Sequence, residues 1–118
     1  MKILHSSLAS VTAAAAFALV ASGGWALFRK SASSIRLVLL IRRVTIIAAV
    51  LAAALGGLLF VTGHRPHAGL HLMYGFFALV AVPVAATMAA RNPRRGGLYH
   101  VVAGVILLGL CFRLAGTG

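Results

Sequence analysis

The side chains of this 118-residue sequence that could do chemistry are its five histidines, one cysteine, two tyrosines and three methionines, because it contains no Asp or Glu. That absence excludes paired-carboxylate glycoside hydrolysis, carboxylate cages for calcium or magnesium, and Ser-His-Asp triads. What remains is imidazole, a ligand for iron, copper or zinc and a hydrogen-bond partner for a carbonyl. Three histidines lie in one turn-rich stretch, Thr62-Gly-His-Arg-Pro-His-Ala-Gly-Leu-His-Leu-Met-Tyr-Gly75, namely His64, His67 and His71. Leu70-His71 opens an apolar segment just as Leu4-His5 opens the first one, and His100 follows Tyr99 much later. Cys111 lies in an apolar run and belongs to no zinc spacing, so it reads as a packed thiol.

The elements that must position these histidines are membrane spans. The chain is 62% apolar with a mean hydropathy of +1.06, above the roughly 45–50% of soluble domains. Eleven Lys and Arg with no acid would suggest nucleic acid in a soluble protein. Here the cations cluster between apolar runs, as in the loops of a membrane protein, so the expected partner is the lipid bilayer and not nucleic acid. Four runs, about 6–28, 44–62, 69–90 and 98–115, are each long enough to cross a roughly 30 Å hydrocarbon core. The expected fold is all-α, a four-transmembrane-helix bundle built from two helical hairpins, a single integral membrane domain over 1–118.

Several details support those spans. Trp25 fits an interfacial aromatic near the end of the first. A secretory signal peptide with a cleavage site at Ala21-Ser-Gly23 is disfavoured, because the apolar run continues to Phe28 and its removal would break the pairing of hairpins. Arg29-Lys-Ser-Ala-Ser-Ser-Ile-Arg36 reads as the first loop, with Ser33 or Ser34 capping a helix that starts before the membrane. Arg42 and Arg43 then sit at headgroup depth, and Ala48, Ala49, Ala52, Gly56 and Gly57 permit close helix approach. Pro83 is expected to kink the third helix or free a carbonyl one turn earlier. Arg91-Asn-Pro-Arg-Arg-Gly-Gly97 is a turn.

One face of the bundle carries Arg29, Lys30, Arg36, Arg42, Arg43, Arg91, Arg94 and Arg95; the other carries Lys2, Arg65 and Arg113. This asymmetry places both short loops in the cytoplasm and both termini outside, with the bacterial inner membrane as the default location. The Leu-His openings and Thr-Gly endings (Thr62-Gly63, Thr117-Gly118) form a weak internal repeat.

On this topology His5 and His71 lie at the same face and at similar depth, where they could ligate a haem iron from both sides of the macrocycle. Ala9, Thr12, Ala13 and Ala16 after His5, and Gly75 and Ala78 after His71, would leave room for the ring. Arg65 and Arg113 are the candidates for its propionates. His64 and His67 are secondary candidates, with His71 and Met73, for copper. Tyr74 with His71, beside Phe76 and Phe77, could hydrogen-bond a quinone. The bland alternative keeps His5 and His71 as interfacial side chains among ordinary small-residue packing. His100 is expected to be an interfacial anchor.

Four helices with paired histidines are similar to the b-type membrane cytochromes, in which bis-histidine haem sits between helices of a four-helix bundle. More broadly the chain resembles small four-helix bacterial membrane proteins with Leu-His helix openings, to which no activity attaches. The cytochrome resemblance implies haem b, single-electron transfer and no catalytic residue. The competing expectation is a non-catalytic accessory or structural subunit of a larger respiratory or photosynthetic membrane complex, or a homo-oligomer. A channel or transporter is less well supported, since only an oligomer of so short a chain would enclose a path.

Overall fold

The computed structural model describes residues 2–29, 31–63 and 69–117. Four helices account for nearly all of them: α1 (Lys2–Arg29), α2 (Ala32–Val61), α3 (Leu70–Arg91) and α4 (Gly96–Thr117), with a single 3₁₀ turn at Pro93–Arg95 between the last two. All four are long and apolar enough to cross a membrane. They form an all-α bundle measuring 48 × 20 × 20 Å, tall enough for a hydrocarbon core and its headgroup layers.

α2 is longer than the expected span. It has 30 residues, about 45 Å at the α-helical rise. Arg36, Arg42 and Arg43 lie on this helix, as a helix that starts before the membrane requires. The start is set by Ser31, two or three residues earlier than the expected Ser33 or Ser34. The Ser31 hydroxyl accepts from the Ser34 backbone N–H at 3.3 Å, and the Ser34 hydroxyl accepts from the Ser31 N–H at 3.1 Å. This is a reciprocal cap in which serine takes the place usually held by Glu or Gln. At the other end, Thr62 turns its hydroxyl and N–H back onto Leu58, and Gly63 leaves the helix at a φ of 98°, a left-handed conformation suited to glycine. α3 continues through Pro83, whose missing N–H leaves the carbonyl of Leu79 without its usual helix partner.

The hairpins α1–α2 and α3–α4 are joined mainly through an extensive α1–α4 contact; the α2–α3 seam is thinner. Glycine makes the α1–α4 contact close. A Cβ on Gly97 would stand 2.8 Å from the Gly23 carbonyl oxygen, and one on Gly104 would stand 2.6 Å from Val20 Cγ2. Ala16, Leu19, Ala103 and Leu107 fill the space between them. Larger apolar side chains such as Phe17, Phe28, Leu40, Phe76 and Phe112 point outward, an arrangement that suits a bilayer rather than water. Inside, Thr12, Ser22 and Thr45 donate to carbonyls of their own helices (Leu8, Leu19 and Ile41). Among the described residues no buried side-chain polar atom lacks a partner, as an apolar solvent demands.

Candidate functional site

His5 and His71 meet. Both lie in the first turns of their helices, α1 and α3, which stand diagonally opposite one another in the bundle. Their ring centres are 6.3 Å apart with the planes tilted by 58°. His5 reaches sideways to α2, where its Nδ1–H donates to the carbonyl of Ala52 at 2.8 Å. It can do so because residue 56 has no side chain: a Cβ there would stand 2.8 Å from His5 Cε1. His71 in turn donates to the backbone carbonyl of Leu114 on α4. All four helices therefore contribute to holding the two rings.

This anchoring has a chemical consequence. Neutral imidazole carries one N–H and one lone pair. With Nδ1–H committed to Ala52, the His5 lone pair is on Nε2. An N–H held by a backbone carbonyl while the other nitrogen faces a ligand is how metal-binding histidines are oriented. Two imidazoles on opposite sides of one metal, through bonds of roughly 2 Å, place their ring centres about 6 Å apart.

The surroundings fit the expectation in part. Gly75, one turn after His71, has open space where a side chain would be. Ala16 and Ala78, expected to leave room for a macrocycle, are instead packed into the core, and Thr12 is buried against its own helix. Tyr74 is half-buried, one turn after His71. Met73, Phe76 and Phe77 are exposed, the two phenylalanines packed edge to face at 6.0 Å. Arg113 is exposed and precedes Leu114, so it stands at the same end as the pair. The other proposed propionate partner, Arg65, and the secondary candidates His64 and His67 lie outside the described residues. Among the described residues no group of three or more metal-binding side chains comes together.

The chain matches no protein-family model, no curated protein and no solved structure.

At the opposite end, His100 differs from its expected role as an interfacial anchor. It is buried, at 3% exposure. Its Nδ1–H donates to the Gly96 carbonyl at 2.6 Å, which turns Nε2 toward the guanidinium of Arg42 on α2 at 3.5 Å. Gly97 at the start of α4 contributes to the burial, since it lets this helix end lie close against Gly23 of α1. That glycine was the signal for it. Cys111 packs against the core cluster as a half-buried thiol.

Proposed function

We propose that this chain is a small b-type cytochrome-like electron carrier of a bacterial cytoplasmic membrane, with His5 and His71 as the axial ligands of one haem b. A single observation supports the reading: two imidazoles from diagonally opposite helices stand with ring centres 6.3 Å apart, each with one nitrogen tied to a backbone carbonyl. Haem would supply the one-electron chemistry. The chain would supply the ligands, fix their tautomers through Ala52 and Leu114, and keep water away with apolar helices. The α2–α3 seam is the thinner one between the hairpins, and Gly75 has no neighbour where a side chain would stand. Arg113 and Arg65 are the cations for its propionates, and Tyr74 is the nearby hydroxyl for a quinone partner. The excess of Arg and Lys at the other end supports an orientation with both termini outside the cytoplasm.

The test is an absorbance spectrum of the detergent-purified protein, oxidised and then reduced with dithionite. Sharp α and β bands on reduction, lost in both His5→Ala and His71→Ala, are expected. A colourless preparation, still colourless when haem is supplied during expression, would sink the proposal.

One observation favours a second reading, an accessory subunit of a larger membrane complex. Gly24, Gly57 and Gly109 have open space on their helix surfaces, and bare helix backbone suits close contact with a helix from another chain. Under this reading the protein is colourless and purifies with a larger partner.

A further inference from the structure

A shallow groove runs along the outside of the α1–α2 hairpin, toward its arginine-rich end. Ala18, Ala21, Ser22 and Trp25 line it from α1, and Leu37 and Ile41 from α2. These positions recur every three or four residues, so each helix presents one continuous strip. The Ser22 hydroxyl is turned back onto Leu19, which leaves the groove apolar. At its mouth the Arg29 guanidinium lies 5.1 Å from the centre of the Trp25 ring, a cation–π contact that fixes the charge directly above the apolar strip. Ala18 and Arg29 are about 16 Å apart along α1, close to half of a hydrocarbon core of roughly 30 Å.

We propose that this groove is a binding site for an anionic phospholipid, with an acyl chain along Ala18, Ala21, Leu37 and Ile41 and the phosphate at Arg29. Charge complementarity selects the occupant. The chain has no Asp or Glu, so none of its own side chains can neutralise Arg29. A second copy of the chain would bring the same acid-free, arginine-rich end against this one. A phospholipid phosphate supplies the missing negative charge, and its acyl chain matches the strip in length and polarity. The proposal is independent of any haem, because the groove and the His5–His71 pair lie at opposite ends of the bundle.

Trp25, the sole tryptophan of the chain, reports on the site directly. The protein is reconstituted in vesicles of equal parts phosphatidylglycerol and phosphatidylcholine, with bromine on the acyl chains of one lipid or of the other. Bromine quenches tryptophan only at short range. Stronger quenching from the brominated phosphatidylglycerol is expected, corresponding to a relative association constant of about five, the scale of one cation beside an anionic head group. Arg29→Gln should remove most of that preference and Arg29→Lys should retain it, with helical circular dichroism unchanged in both. Equal quenching from the two lipids in the parent protein would overturn the proposal, since the groove would then hold ordinary boundary lipid. A preference undiminished in Arg29→Gln would overturn it as well.

Discussion

The His5 ring occupies the space that a side chain at Gly56 would need: a Cβ on residue 56 would stand 2.8 Å from His5 Cε1 and 3.4 Å from Nδ1. The glycine and the Ala52 carbonyl one turn before it form a notch that sets the ring's position. Gly56→Ala should therefore push His5 off Ala52 and away from its place opposite His71. Overpacking of this kind costs about 1–3 kcal/mol, read as a lower midpoint in thermal unfolding in detergent. Gly57→Ala is the control, because nothing lies within 4 Å of a Cβ there. If the two substitutions destabilise equally, the notch has no special role. In a haem-loaded protein, Gly56→Ala should also perturb the reduced α band, while Gly57→Ala leaves it in place.

The α1–α4 contact makes a second demand on glycine. Gly97 faces the Gly23 carbonyl, and Gly104 faces Val20 and the Ala16 carbonyl, at distances too short for a methyl group. The obstacles at Gly97 and at Ala16 are backbone atoms, which cannot swing aside as a side-chain tip would. Gly97→Ala and Gly104→Ala should each separate the two hairpins and cost about 1–3 kcal/mol. Gly109→Ala, on the open side of the same helix, should be neutral or slightly stabilising through better helix propensity. Equal melting points for all three would show that α1 and α4 are not in close contact.

The number of helices and their hairpin order were legible because no polar run interrupts the apolar segments, except at Arg29–Arg36, at residues 62–69 and at Arg91–Gly97. The start of α2 was less so. Arg36, Arg42 and Arg43 read as a loop and its flank, but a long cationic side chain is equally at home on a helix that rises to the headgroups. The equal depth of His5 and His71 could be counted from the helix starts. Their rotation toward each other could not, since it depends on contacts with Ala52 and Leu114, some 47 and 43 residues away in sequence. In the sequence Gly56 is one more small residue for helix packing, and its use as a slot for an imidazole has no sequence signature of its own. The position of His100 in the chain points to the interface, whereas the close approach of α4 to α1 at Gly97 leaves it buried.

The reciprocal cap at Ser31 and Ser34 should determine how far α2 extends toward its arginine end. Without it, the first N–H groups of α2 lose a partner in the connection to α1. Ser31→Ala should cost about 1 kcal/mol and raise amide hydrogen exchange locally, over residues 32–36, while leaving the membrane-depth amides protected. Ser34→Ala removes the other half of the exchange and should act in the same place. Exchange unchanged over that segment in Ser31→Ala would show that α2 is held by packing alone, with no contribution from its cap.

Arg42 and His100 should show a measurable coupling, and its presence or absence separates two roles. The 3.5 Å contact between them is long for a hydrogen bond, so its own strength is small. What matters is that Arg42 is half-buried in a chain without Asp or Glu, and the His100 Nε2 lone pair is the acceptor turned toward it. His100→Phe removes that acceptor and the Gly96 anchor together, leaving a guanidinium beside an apolar ring; a loss of about 1–3 kcal/mol is expected. Arg42→Met removes the charge but leaves the buried Nε2 of His100 without its partner, and should cost about 1 kcal/mol. In the Arg42→Met background, the cost of His100→Phe should then fall by about 1 kcal/mol, because no charge is left stranded. Four thermal unfolding curves in detergent complete the cycle. Strict additivity would mean that His100 serves α4 alone through Gly96, and that Arg42 already draws its compensation from lipid headgroups.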